Sequence, residues 1–164
     1  MSDDVRMNPD VKTAWVAALR SGDYEQGQEL LHQVDGARHL YCCLGVLCDL
    51  AYRAGVVERY EERTGVRFSY ADPAAVGAGE VAPEGSVLPR AVARWAGLVA
   101  TVVDDDHGPL ERVLTDPTVE GTELTVWNDG EPSIFDDEDE DEDGRDGREP
   151  ASFTVIADLI ERNL

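Results

Sequence analysis

Residues 40–55 read LYCCLGVLCDLAYRAG, and they hold all three cysteines of the chain within seven positions. From Cys43 the apolar side chains Cys43, Leu47, Leu50 and Ala54 recur at i, i+4, i+7 and i+11, the spacing of one face of an α-helix. Gly55 stands where a helix usually stops. Val46 and the small Gly45 widen the apolar sector, so this helix is expected to be buried on more than one side. Three thiols so close together cannot make the even, dispersed framework of a secreted disulfide scaffold. Neighbouring Cys42 and Cys43 cannot bridge without unusual geometry, and Cys43 and Cys48 point in different directions on a helix. Four residues separate Cys43 from Cys48, and the histidines are scattered at 32, 39 and 107, so no metal site is expected. Free cysteine is among the most buried residue types, and core packing is the preferred role for all three.

Outward from this helix, residues 7–22, MNPDVKTAWVAALRSG, open with Asn8 as an N-cap, Pro9 at the first helical position and Asp10 in the first turn. Val11, Trp15, Ala18 and Leu19 then share a face, and Gly22 ends the run. Between the two helices the Asp35-Gly36 turn signal predicts a short strand, a turn and a second short strand reaching Cys42. Residues 56–89 are rich in Gly, Pro and Ala beyond residue 64 and predict irregular connection with one or two short strands. Residues 89–98, PRAVARWAGL, predict a short helix with Pro89 in its first turn and Gly97 at its end. Alternation at Thr122, Leu124 and Val126 predicts strands or sheet edges over 98–127. At the end, Ser152 as N-cap with Phe153, Ile156, Ala157, Ile160 and Leu164 on one face predicts an amphipathic helix.

These elements sum to an α+β fold, a single domain over 1–164 with three or four helices packed on a small, partly antiparallel sheet. Apolar residues make up 42% of the 164, enough for one real core. The formal net charge is −21, and residues 136–149, DDEDEDEDGRDGRE, contribute −8 of it. That run cannot bury apolar area and is expected to be an acidic flexible loop. A chain this acidic repels a phosphate backbone, so direct nucleic-acid binding is not expected, whereas an acidic surface engaging a basic protein as a DNA mimic remains open. The acidic, polar start and the lack of a long apolar run argue against a signal peptide or a membrane span, and a cytoplasmic location is expected.

The segment CLGVLCDLAYRAG resembles the nucleophile helix of NlpC-type cell-wall peptidases of the papain-like superfamily through Cys43, Gly45, Tyr52, Ala54 and Gly55. That resemblance implies Cys43 as a thiolate nucleophile, its pKa lowered at a helix N-terminus, and a degenerate papain-like fold. The chain departs from the pattern. Cys42 and Leu44 stand where those enzymes carry Asp and Ser, and the one downstream histidine, His107, lies in an acidic turn-like segment.

A longer resemblance is carried by WVAALRSGDYEQG, YCCLGVLCDLA, LPRAVARWAGL, LTVWNDG and SFTVIADLIERNL. Together these are similar to a family of small uncharacterised proteins found mainly in bacteriophage genomes, with a CCLGVLCD core motif and an NDxGxSFxEIADLIE-type ending. Here the acidic stretch splits that ending, and Val155 stands where the family has Glu, removing the capping-box partner of Ser152. The resemblance implies a phage-type origin and no established activity.

The polar residues of these motifs are Arg20, Tyr24, Gln26, Asp49, Asn128 and Asp129. Bland roles exist for several: Arg20 can cap helix-end carbonyls, Asp49 can pair with Arg20 or Arg53, and Asn128-Asp129-Gly130 can form a turn. Gathered round one cleft they form instead a pocket for a small polar ligand such as a nucleotide. The leading expectation is a cytosolic phage-type accessory protein that sequesters a small polar ligand, such as a nucleotide immune signal, in counter-defence. It calls for no cofactor. The alternatives are a cysteine hydrolase using Cys43, within reach of His107 or His39, and an acidic inhibitor of a basic host protein.

Overall fold

The computed structural model describes residues 7–98, Glu29 and Val87 excepted, and residues 152–163. The strands expected over 99–127, the acidic run 136–149, His107, Asn128, Asp129 and Leu164 lie outside the described residues. Helix α1 spans Pro9–Arg20, and Asn8 caps it as expected, its Oδ1 accepting from the Asp10 N–H at 3.0 Å. Strands β1 (Glu25–Gln26), β2 (His32–Asp35) and β3 (Arg38–Tyr41) follow. The turn between β2 and β3 needs Gly36, whose φ of 63° is left-handed. Helix α2, Cys43–Arg53, comes next, then β4 (Glu58–Glu61), β5 (Arg67–Ala71), α3 (Pro73–Gly77), α4 (Arg90–Trp95) and α5 (Phe153–Asn163).

The fold is α+β. The five strands form one mixed sheet in the order β1-β3-β2-β5-β4, with β1 parallel to β3 and every other pair antiparallel. Register sets one row of Cα partners straight across it: Gln26, Tyr41, His32, Phe68, Glu61. Paired residues lie on the same face, so this row is one line of side chains.

Residues 56–89 hold two short strands, as expected, and also a short helix, α3, that was not. β4 and β5 form a hairpin, β5 also pairs with β2, and Asp72 caps α3 by accepting from the Ala74 N–H. The tertiary partner β2 supplies what the local sequence lacks.

One buried cluster joins α1, α2, α4 and α5 through Trp15, Leu47, Val92 and Ile156, all at 0% exposure. α2 is buried on more than one side, as expected, but the buried residues are not those of the periodic face alone. Cys43 through Asp49 are all buried, whereas Leu50 is half-buried and Ala54 exposed. Neighbours pack on several sides of the first two turns, so burial follows position along the axis more than the helical face.

Two contacts lock α2 in place. The Trp15 indole N–H donates to the Cys43 carbonyl at 2.9 Å. At Gly45 the helix backbone meets the chain at Leu31 so closely that a Cβ there would lie 1.6 Å from the Leu31 carbonyl oxygen. The obstacle is backbone on both sides, so no rotamer relieves it. Gly45→Ala is therefore expected to lower stability by at least ~3 kcal/mol, above the usual range for overpacking, despite alanine's better helix propensity. Urea denaturation checks this, and a variant as stable as the parent contradicts the close approach.

A candidate ligand site on the aromatic face of the sheet

Cys42 and Cys43 begin the site's supporting helix. Cys42 takes the N-cap position and its Sγ accepts from the Gly45 N–H at 3.3 Å, the part a serine oxygen usually plays. Cys43 is 0% exposed, so a substrate has no path to its sulfur in this conformation. Cys48 is equally buried, and burial pushes its thiol pKa well up. Among the described residues no disulfide joins the three cysteines.

Asp49 follows on the same helix. Its side chain is almost wholly buried, yet it accepts from the Tyr24 hydroxyl at 2.5 Å and pairs with Arg53 Nε at 2.9 Å. A buried carboxylate is costly unless paired and hydrogen-bonded, and here it is both. Burial first, and then the Asp49 bond, push the Tyr24 pKa up, so Tyr24 stays a neutral donor. The Arg53 guanidinium also lies 5.9 Å from the Tyr24 ring centroid.

Tyr24 leads into a line of rings. Tyr24 and Tyr41 meet edge to face at 5.1 Å, Tyr41 stacks on His32 at 4.2 Å, and His32 stacks on Phe68 at 4.4 Å. His32 is fully buried, while Tyr24, Tyr41 and Phe68 are each half-buried. Arg59, exposed on β4, closes the line, with its guanidinium 4.9 Å from both the Phe68 and the Tyr52 centroids. Beneath the rings, His32 Nδ1 is 3.0 Å from the Tyr70 hydroxyl and His32 Nε2 is 2.8 Å from His39 Nδ1. Burial, helped by His39 and Arg59, lowers the His32 pKa to about 4, and burial raises that of Tyr70.

The structure therefore brings Tyr24 and Asp49 into contact and sets Gln26 on the same row, opposite Tyr41. Arg20 is not brought to them. Its guanidinium turns to α5, meeting Asp158 at 2.5 Å and Glu161 at 2.8 Å. Of the two partners expected for Asp49, Arg53 takes the place and Arg20 does not. Asn128 and Asp129 lie outside the described residues.

Sequence reasoning missed Tyr41, His32, His39, Phe68 and Arg59 as a site. The available signal was period two: His39 and Tyr41 on β3, Phe68 and Tyr70 on β5, with His32 between them on β2.

A hollow of about 460 Å³ lies between α1 and α5, lined by Lys12, Thr13, Val16, Arg20 and Glu161 among others. Its cations are already engaged, since Lys12 Nζ donates to the Glu161 carbonyl and Arg20 holds two carboxylates. Among the described residues no three His, Cys, Asp or Glu side chains converge as metal ligands. The 2.8 Å between the two imidazole nitrogens is also too short to hold a bridging metal, which needs about 2 Å on each side.

Fold and side chains define a small α+β protein with a half-exposed aromatic sheet face flanked by arginines. The chain belongs to the family described as "Domain of unknown function (DUF8296)", whose model matches residues 7–164. No curated protein and no solved structure matches it. Among the described residues no helix is long and apolar enough to cross a membrane.

The buried imidazole has a consequence for pH. The unfolded chain takes up a proton at His32 near pH 6.5, the folded chain only near pH 4, so the unfolded state binds the proton first as pH falls. The stabilisation is complete above about pH 6.5 and is lost progressively toward pH 4. Between pH 7 and pH 5 the loss is on the order of 2 kcal/mol. Urea denaturation of the parent and of His32→Phe at both pH values checks this. The parent should lose about that much more than the variant, and equal losses refute a neutral buried His32.

Proposed function

We propose that this chain is a binding protein whose aromatic sheet face captures a small, planar, anionic molecule of the nucleotide class. The observation that carries it is the unbroken line Tyr24–Tyr41–His32–Phe68, half-buried at Tyr24, Tyr41 and Phe68 and fully buried at His32, ended by the Arg59 guanidinium 4.9 Å from Phe68. Aromatic faces give a base a surface to stack on, and stacking of this kind is worth about 1–3 kcal/mol per base. Arginine supplies a charge that meets phosphate oxygens in a forked geometry. Arg59 makes no ion pair among the described residues, whereas Arg53 is tied to Asp49. Gln26 adds amide chemistry on the same row.

We further propose that the protein acts by sequestration, as a phage-type counter-defence factor. The motif resemblance to phage-encoded proteins supports that setting. A hydrolase built on Cys43 has against it the complete burial of that thiol.

Calorimetric titration with AMP, ADP-ribose and cyclic mono- and dinucleotides tests the proposal. At least one should bind, and Phe68→Ala and Arg59→Ala should each raise its Kd about tenfold or more. Lys12→Ala, in the hollow between α1 and α5, should leave Kd unchanged. Absence of binding across the set overturns the proposal, and so does a Kd that responds to Lys12 and not to Phe68 or Arg59.

A further inference from the structure

The buried hydrogen-bond chain under the rings runs in one direction. Tyr70 is 0% exposed, and among the described residues its hydroxyl has one hydrogen-bond partner, His32 Nδ1 at 3.0 Å. A buried O–H is costly to leave without an acceptor. Tyr70 therefore donates and His32 Nδ1 accepts. A neutral imidazole with a bare Nδ1 carries its proton on Nε2, and that N–H points at His39 Nδ1, 2.8 Å away. His39 Nδ1 must then accept, so the neutral His39 ring carries its own proton on Nε2. His39 is exposed, and its Nε2 has no partner among the described residues.

We propose that Tyr70, His32 and His39 form a directional relay that holds His39 as an outward-facing N–H donor, aimed at an acceptor oxygen of the ligand that stacks beside Phe68. The opposite tautomers, with Nδ1 protonated on both rings, leave the Tyr70 proton without an acceptor. The lowered proton affinity of the buried His32 agrees with a neutral ring. His39 lies 6.2 Å from Phe68 between ring centroids, and Arg59 sits against that same ring. A phosphoryl or carbonyl oxygen near Phe68 thus meets a donor from His39 and a charged fork from Arg59. A ligand group offering only N–H donors there meets no acceptor from either residue. The relay stands on the protein alone, whereas the ligand acceptor rests on the function proposed above.

The test has two arms. Long-range proton–nitrogen NMR of the uniformly ¹⁵N-labelled full chain at pH 7 reads the tautomer of each imidazole, with His39→Gln assigning the signals. Both His32 and His39 should show a protonated Nε2 and a bare Nδ1, and Tyr70→Phe should convert His32 to a mixture of tautomers. Nδ1 protonation on either ring in the parent overturns the relay, as does an unchanged His32 signal in a folded Tyr70→Phe. In the second arm the tightest nucleotide of the panel is titrated into His39→Ala and His39→Gln. Loss of the donor should raise Kd about tenfold, and the glutamine amide should restore most of it. Equal affinity for parent and His39→Ala overturns the ligand contact. If no nucleotide binds the parent, the ligand contact falls with the proposed function while the NMR arm still judges the relay.

Discussion

The helix α2 lies directly on the backbone of Leu31, and the rest of the molecule is arranged around that contact. With no Cβ at Gly45 the helix approaches as far as main-chain atoms allow, and a Cβ there would sit 1.6 Å from the Leu31 oxygen. Leu31 is itself held from another side, its N–H donating to the Gly85 carbonyl at 2.9 Å. Backbone against backbone leaves little freedom in depth or rotation. Asp49, one turn beyond Gly45, is thereby delivered to Tyr24, and Tyr52 and Arg53 reach the edge of the aromatic row.

Polar groups inside this arrangement come in connected sets. Asp49 is satisfied by a phenol and a guanidinium, and His32 by a phenol and a second imidazole. Such networks order the side chains around them when every member is paired. The rings above them behave differently. Tyr24, Tyr41 and Phe68 are only half covered, although each square ångström of exposed apolar surface costs about 25 cal/mol. A row packed below and half exposed above suits the proposed flat partner, because little side-chain order would have to be created on binding.

Charge would set the terms on which the proposed partner arrives. The chain carries −21 overall, −8 of it in 136–149, so an anion proposed to bind here would be attracted by local cations and not by the field of the whole protein. At physiological salt the screening length is about 8 Å, which confines the influence of distant acids. Arg59, in contact with two rings, acts well inside that distance. Arg20, the cation that the motif pattern favoured, serves instead to bind α5 to α1 through Asp158 and Glu161.

The helices at Pro9–Arg20, Cys43–Arg53 and Phe153–Asn163, the Asp35-Gly36 turn and the inward role of the cysteines were legible in the chain itself. Caps, glycine stops and 3.6-residue periodicity act over a few neighbouring residues, so local order carries them. Asp49 and Tyr24 were also legible as candidate site residues, though not as each other's hydrogen-bond partner. The partner of Asp49 was not, since Arg20 and Arg53 both fit by composition; Arg53 stands one turn on in the same helix, and Arg20 is taken by Asp158 and Glu161 of α5. The β4–β5 hairpin needed β2, and the ring line needed the register of β3, β2 and β5. Strand order and register bring together residues 24, 32, 41, 59 and 68, whose contacts depend on pairing across the sheet. Distances of that kind belong to the tertiary structure alone.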